Sequence, residues 1–182
     1  MAVSPGPQAH NAATKIIDPR ASDLRGGIPR RALEYWNRRR NGAELARRAD
    51  LNPAEIVDML PAVFLVDVLP GPSRYRYRLI GTQIAEWSGN DATGRDMDDP
   101  QCGEGSTVFI ALHDEVVALR KPVATVNSPA LFQGSMLLFD RILLPMAGDD
   151  GAVVMIMGAA DAVPAPRHTA ADRQRLPIRQ FG

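Results

Sequence analysis

"YRYRLIGTQIAEWSGNDATGRDM", residues Tyr75–Met97, is the stretch of sequence from which the fold is inferred. It begins with alternating aromatic and arginine residues, the period of two that is typical of a β-strand. The alternation stops at Gly81, a short segment that carries Trp87 follows, and Gly94-Arg95 then marks a turn. The stretch contains no catalytic motif, so its meaning depends on the elements on either side of it.

Helices and one strand are predicted before this stretch. Pro29 and Gly42 suit the first position and the stop of one helix. Asn52 suits the cap of a second helix that Pro61 ends. The segment "AVFLVDVL", residues 62–69, is then predicted to be a buried strand.

One longer helix and three strands are predicted after it. Ser106 suits the cap of a helix that runs to about Leu119, and "VATVNSPALF", "SMLLFDRILLPM" and "AVVMIMGAADAV" follow as a meander. This order predicts an α+β domain, a five-stranded antiparallel sheet with helices on one face, plus an N-terminal helical extension. The expected organisation is a disordered tail at 1–27, the extension at 28–61, the domain at 62–163 and a polar tail at 164–182.

Composition narrows the class of protein. The 182 residues have zero formal net charge and a single cysteine, Cys102, which argues against a disulfide framework and a cysteine-rich metal site. No signal peptide or spanning apolar run is predicted, so we expect a cytoplasmic protein without a membrane segment. The run "RRALEYWNRRR" is basic, but no nucleic-acid motif accompanies it, so nucleic acid is not expected as a partner.

Motifs for catalysis are absent from the sequence. His10 and His168 lie in the predicted tails, so no metal site is predicted. "GSMLL" lacks the second glycine of a nucleophile elbow, and neither a phosphate loop nor a dinucleotide fingerprint is present. We therefore predict no catalytic residues and a protein that is not an enzyme.

The order of elements resembles a PAS domain. Trp87-Ser88-Gly89 and the Gly94-Arg95 step stand where PAS sequences carry a short helix and a Gly-Arg turn. "RRADLNPAEIVDMLPAVFLVDV", "RYRLIGTQIAEWSG" and "FDRILLPM" are similar to a PAS-like family of short stand-alone proteins common in alphaproteobacteria, over roughly residues 33–163. The resemblance implies a bacterial sensory or interaction domain that binds a small molecule or a partner and acts on an unknown signalling protein.

Site residues and cofactors follow from the same resemblance. A ligand pocket between helices and sheet would use Tyr77, Trp87, Phe109 and His113. The reactive cysteine of flavin photoreceptors would fall near Met97, which cannot form a thiol adduct, so the sequence argues against photochemical flavin binding. His113 lies at the edge of the apolar stripe of its helix, which argues against haem.

Two strands predict that the outer sheet face is covered. "MLLFDRILL" and "VVMIM" are apolar on both faces, whereas a sheet with one wet face should alternate with polar residues. Leu137 and Phe139 are predicted to lie on this face. It would be covered by a helix carrying Leu33 and Trp36, by a second subunit, or by both. A homodimer is therefore expected.

Two alternatives remain open from the sequence. An enzyme on a curved α+β half-barrel, of the isomerase or cyclase type, would need an acid or base among Asp67, Asp140 and His113. A structural adaptor would have a filled core. A pocket with a buried carboxylate favours the enzyme, and a pocket without one favours sensing.

Overall fold

The protein is represented by a computed structural model that describes residues 14–102, 106–132 and 135–164. Within these ranges the strands are β1 (Thr14–Ile17), β2 (Ala46–Arg47), β3 (Val63–Val68), β4 (Tyr75–Ile80), β5 (Val123–Phe132), β6 (Ser135–Ala147) and β7 (Val153–Pro164). The α-helices are α1 (Gly27–Arg40), α2 (Thr82–Ser88) and α3 (Ser106–Leu119). Short 3-10 turns lie at Ala21–Asp23, Arg48–Asp50, Pro53–Glu55, Leu60–Ala62 and Pro100–Cys102.

One sheet organises the domain. Its order is β1-β5-β6-β7-β3-β4, and β2 pairs in parallel with β6. Strands β3 to β7 form the predicted five-stranded antiparallel sheet, which confirms the α+β class. Helices α2 and α3 lie on one face of the sheet, which we call the inner face, and α1 lies on the other, the outer face.

The outer face is covered by α1 of the same chain. Leu33 and Trp36 are 3% and 4% exposed and belong to the core that includes the outer residues of β6 and β7. The Trp36 Nε1–H donates to the carbonyl oxygen of Pro145 at 2.7 Å, which fixes the helix to β6. The apolar character of both faces of β6 and β7 is thus accounted for within one chain.

The predicted face of β6 was wrong for Leu137 and Phe139. Phe139 lies on the inner face, where its ring contacts that of Trp87. Leu137 shares this side, because side chains two apart in a strand point the same way. The sequence could not separate the faces, since apolar residues occupy both.

Asp140 holds the chain that leads into α1. Its carboxylate is 1% exposed and accepts backbone hydrogen bonds from Arg25 at 3.1 Å and Gly26 at 3.0 Å. Asp161, its cross-strand neighbour on β7, accepts a longer bond from the Ile28 amide. These carboxylates bind amides at the start of a helix, where the helix dipole favours negative charge.

The predicted disordered tail at 1–27 is partly ordered. Thr14–Ile17 pairs antiparallel with β5 and adds β1 to the sheet edge. The side chain of Lys15 also forms an ion pair with Glu115 on α3 at 2.7 Å. Four residues are too few to show a strand period, so β1 could not be predicted from the sequence. Residues 1–13 and the predicted tail beyond Pro164 lie outside the described residues.

The second predicted helix is also a correction. Asn52 does cap, since its side chain accepts from the Ala54 amide at 3.1 Å. The capped element is a single 3-10 turn, however, and the backbone leaves helical geometry at Ile56 with φ −126°. Ile56 and Met59 are buried at 1% and 3%, so tertiary packing overrides the weak local preference for a helix.

Candidate functional site

A cavity of about 670 Å³ lies between the inner face of the sheet and helices α2 and α3. Its volume falls within the range of about 300–1,000 Å³ that is usual for small-molecule sites. Most of its wall is apolar and aromatic. The principal lining side chains are Phe64, Tyr77, Ile84, Trp87, Cys102, Phe109, Leu112, Thr125, Ser128, Phe139 and Arg141.

Three of the four predicted pocket residues line this cavity. Tyr77 comes from β4, Trp87 from α2 and Phe109 from α3. The indole of Trp87 meets the ring of Phe139 edge to face, with 5.3 Å between centroids and an interplanar angle of 78°. The fourth residue, His113, is not among the lining residues.

The turn at Gly81 explains how α2 is placed over the cavity. The Gly81 amide donates to the carbonyl of Val63 at 2.8 Å, so β4 stops against the start of β3. A Cβ at this position would lie 2.4 Å from the carbonyl oxygens of Leu60 and Pro61. Only glycine permits this close approach of two backbone segments. Helix α2 then ends at Gly89 in the left-handed conformation.

The Gly94-Arg95 step lies along the free edge of β4. The Gly94 amide donates to the Tyr77 carbonyl at 2.6 Å, and the Tyr77 amide donates to the Arg95 carbonyl at 2.9 Å. The ion pair between Arg76 and Asp96, with 2.6 Å between Nε and Oδ1, supports this pairing. The segment therefore satisfies an edge strand that would otherwise be open and holds the wall next to Tyr77.

His113 is buried behind the cavity. Its Nδ1–H donates to the Phe109 carbonyl at 2.7 Å, and its ring packs against that of Tyr75 with 5.3 Å between centroids. The pKa of His113 is lowered to about 4, mainly by burial. The hydrogen bond to Phe109 raises this pKa, and the positive charge of Arg141 lowers it further. His113 is thus neutral at physiological pH, and its Nε2 has no hydrogen-bond partner among the described residues.

The neutral His113 should make the fold sensitive to acid. Its pKa is about 4 in the folded chain against 6.5 as a free side chain, so the unfolded chain binds the proton first. The stability that neutral His113 contributes is complete above pH 6.5 and is lost as the pH falls toward 4. We expect a loss of about 3 kcal/mol over this interval. Urea unfolding at a series of pH values measures it.

His113→Gln is the control for this prediction, because glutamine does not titrate in that range. Its free energy of unfolding should fall less steeply between pH 6.5 and 4, whatever its absolute value. Equal slopes for the two proteins would contradict the lowered pKa of His113.

One cation projects into the cavity. Arg141, on the inner face of β6, stacks its guanidinium over the ring of Phe109 at 4.5 Å from the centroid. No carboxylate of the described residues forms an ion pair with it. Burial lowers the pKa of Arg141 to about 10, so it remains charged at neutral pH. Sequence reasoning missed Arg141, although a lone arginine within "MLLFDRILL" was a signal, because a charge in an apolar strand needs a reason.

Two hydroxyl groups accompany Arg141. Thr125 pairs with Arg141 across β5 and β6, and its buried Oγ1 has no hydrogen-bond partner among the described residues. Burial raises the pKa of Tyr77 to about 12, the Cys102 thiol contributes to the rise, and the charge of Arg141 opposes it. Tyr77 is therefore a neutral hydroxyl within the field of Arg141.

The residues named for the enzyme alternative lie outside the cavity wall. Asp67 is on the outer side of β3, where its carboxylate pairs with Arg78 at 2.8 Å between Oδ1 and Nε. Asp140 binds the chain before α1, and His113 is behind the wall. The described lining residues include neither aspartate nor glutamate.

The residues that a flavin adduct or a haem would require are Met97 and His113, and neither lines the cavity. Met97, where a flavin-reactive cysteine would be expected, is 1% exposed and does not line the cavity. Cys102 does line it, and its thiol donates to the Asp96 carbonyl at 3.4 Å, with a pKa raised mainly by burial. His113 offers no nitrogen to the cavity wall. Haem ligation by His113 and a cysteinyl adduct at Met97 do not fit this arrangement.

Across the described ranges, no group of three or more histidine, cysteine, aspartate or glutamate residues is arranged to hold a metal ion. No helix there is both long and apolar enough to cross a bilayer.

A family model described as "PAS domain" matches residues 28–161. This range includes the whole of the predicted extension at 28–61, and with it all of α1 except its first residue, Gly27. A search of curated proteins finds no match to this sequence.

Solved structures that align with this chain include three sensory proteins. An RNA-binding light-oxygen-voltage receptor has 18% identity and a TM-score of 0.45, with 64% of this chain and 34% of that chain covered. A sensory box sensor histidine kinase from Vibrio cholerae has 14% identity and a TM-score of 0.45, with 62% and 89% covered. The light state of the blue-light photoreceptor Aureochrome1 LOV has 14% identity and a TM-score of 0.39, with 62% and 88% covered. The chain spans about a third of the length of the first of these.

Proposed function

The chain belongs to the PAS domain family, and from this premise we propose that it is a sensory domain that binds a small molecule in its cavity. Occupancy of the cavity would change how the domain contacts another protein. The observation that carries this proposal is the cavity itself, about 670 Å³ with aromatic walls and few polar groups. Such a combination is typical of small-molecule sites.

The composition of the wall favours sensing over the two alternatives. A structural adaptor would fill this space with side chains, as protein interiors normally do. An isomerase or cyclase would place an acid or base in it, and the described lining residues supply no carboxylate. The sensory reading needs only a site whose occupancy alters the surrounding elements.

Helix α2 is the element best suited to respond. It has seven residues, none of them buried, yet Ile84 and Trp87 line the cavity. An element with little buried surface opens at low free-energy cost. A ligand that contacts Trp87 would therefore shift the population of α2 positions, and with it the surface that a partner meets.

A homodimer also remains a proposal. The apolar outer face that suggested it is covered by α1, so a second subunit is not needed to bury that face. We propose that any dimer forms next to α1, where the charged side chains of Arg30, Arg31 and Glu34 meet solvent. Light scattering of the full chain measures its mass directly.

The ligand proposal predicts that protein purified from its own host retains a small molecule. Native mass spectrometry would show an added mass that disappears when the protein is denatured. Ser128→Phe places a ring on the cavity wall, and we expect it to abolish the added mass. Val57→Phe, at a position 63% exposed, is the control and should retain it.

Fluorescence provides a second measurement. Trp36 and Trp87 are the two tryptophans of the chain, so Trp36→Phe leaves Trp87 as the reporter of the cavity. Removal of the retained molecule should shift the Trp87 emission in this background.

In the mass spectrometry experiment, an added mass that Ser128→Phe leaves unchanged would place the molecule outside the cavity and overturn the proposal.

A further inference from the structure

We infer that the cavity selects an organic anion, a compound with an apolar, aromatic-sized body and one carboxylate or similar acidic group that is bound by Arg141. This inference rests on the proposed function, because it specifies which ligands the cavity takes. Arg141 is the lining residue that carries a full charge, and the rest of the wall is apolar or neutral.

The first argument is the lack of a protein counter-ion. A guanidinium removed from water is costly unless it is paired. Arg141 contacts the face of Phe109, but among the described residues no carboxylate compensates its charge. Ten ion pairs join other charged groups of the described residues, including Arg74, just before β4, and Arg76 and Arg78 within it. The arginine that faces the cavity differs from these in having none.

The second argument is the sign of the local field. The charge of Arg141 lowers the pKa of Tyr77 against the effect of burial, and it helps to lower that of His113. Both neighbours are uncharged at neutral pH, so they leave the positive field of Arg141 uncompensated. A cavity with one fixed charge and apolar walls concentrates ligands of the opposite sign.

The third argument is a further donor, the hydroxyl group of Thr125, on the same side of the sheet. Thr125 is the direct cross-strand partner of Arg141, and its hydroxyl has no protein acceptor among the described residues. A planar guanidinium matches the two oxygens of a carboxylate. An acid bound by Arg141 would lie beside this hydroxyl, which could then donate its hydrogen.

The body of the ligand is indicated by the remaining wall. Phe64, Trp87, Phe109 and Phe139 surround the cavity, and Trp87 and Phe139 already adopt the edge-to-face geometry that aromatic rings prefer. An aromatic or similarly compact apolar group would extend this arrangement. Short polar acids would leave most of the wall without contact.

Two matched fluorescent probes test the inference. 8-Anilinonaphthalene-1-sulfonate is anionic, and N-phenyl-1-naphthylamine has a closely related aromatic body without the charge. We expect the wild-type chain to bind the anionic probe more tightly. Arg141→Met should weaken its binding about 10- to 100-fold, the worth of charge-assisted hydrogen bonds, and leave the neutral probe within about threefold. Thr125→Val should have a smaller effect of the same sign.

Control variants separate the outcomes. Arg30→Met removes an exposed arginine and should change the affinity for neither probe. This variant controls for binding of the anionic probe to positive charge on the protein surface. Ser128→Phe should abolish the binding of both probes. Equal affinities that Arg141→Met leaves unchanged, but that Ser128→Phe removes, would overturn anion selection and retain the ligand cavity. No binding of either probe, or binding insensitive to Ser128→Phe, would overturn the cavity site as well.

Discussion

Gly81→Ala is expected to destabilise the fold by about 3 kcal/mol, the upper end of the usual cost of overpacking a core. The new Cβ would lie 2.4 Å from two backbone carbonyl oxygens and 2.6 Å from that of Val63. Side chains can rotate away from a clash, but these are main-chain atoms held in the turn before β3. The hydrogen bond from the Gly81 amide to Val63 would be strained by the same displacement.

The effect at this position is purely steric. The backbone of Gly81 has φ −64° and ψ 148°, which alanine adopts without strain. Gly89→Ala is the opposite case, with φ 71° and open space around the position of a Cβ. We expect it to cost about 1 kcal/mol, the price of the left-handed conformation for a residue with a Cβ. Urea denaturation compares the two, and equal costs would contradict the close approach at Gly81.

Much of the fold could be predicted from the stretch Tyr75–Met97 and its neighbours. The change of period at Gly81 and the glycine steps at 89 and 94 are set by local backbone geometry, and local geometry is what a sequence encodes most directly. The antiparallel meander of β5, β6 and β7 follows from the lengths of the strands and the short connection between β6 and β7. These inferences needed no information about distant contacts.

The errors arose where distant contacts decide the structure. β1 exists because the edge of β5 accepts it, and no property of four residues reveals a partner more than 100 positions away. The assignment of Phe139 failed because β6 is apolar on both faces, so the pattern does not say which face α1 covers. Ile56 lies in a turn because its burial outweighs the local helix preference.

The candidate site was predicted in part for a related reason. Tyr77, Trp87 and Phe109 were expected in a pocket because the resemblance to a PAS domain implies one between the helices and the sheet. Predicting Arg141 required knowing whether the odd-numbered or the even-numbered residues of β6 face the cavity. That choice depends on which face of the sheet α1 packs against. Placing His113 correctly required knowing how α3 is rotated about its axis. Leu112 lines the cavity and the next residue, His113, lies behind the wall.

The other large effect is expected at Trp36. Its indole is 4% exposed and joins α1 to the outer face of the sheet. Trp36→Ala should lower the free energy of unfolding by about 3–5 kcal/mol, the usual cost of truncating a large buried aromatic residue. Urea unfolding followed by circular dichroism measures this loss, because the signal does not depend on Trp36 itself.

Trp36→Phe divides that loss into its two causes. Phenylalanine keeps most of the buried ring but cannot donate to the Pro145 carbonyl, which Trp36 Nε1 reaches at 2.7 Å. A buried acceptor left without its donor costs about 1–3 kcal/mol, so Trp36→Phe should fall between wild type and Trp36→Ala. Loosening α1 also uncovers apolar residues of β6 and β7, so light scattering should detect self-association of Trp36→Ala at concentrations where Trp36→Phe keeps the mass of the wild type. A Trp36→Ala chain that is as stable as wild type and unchanged in mass would show that α1 does not cover the sheet in solution. If that unchanged mass is the mass of a dimer, the outer face is buried by a second subunit instead.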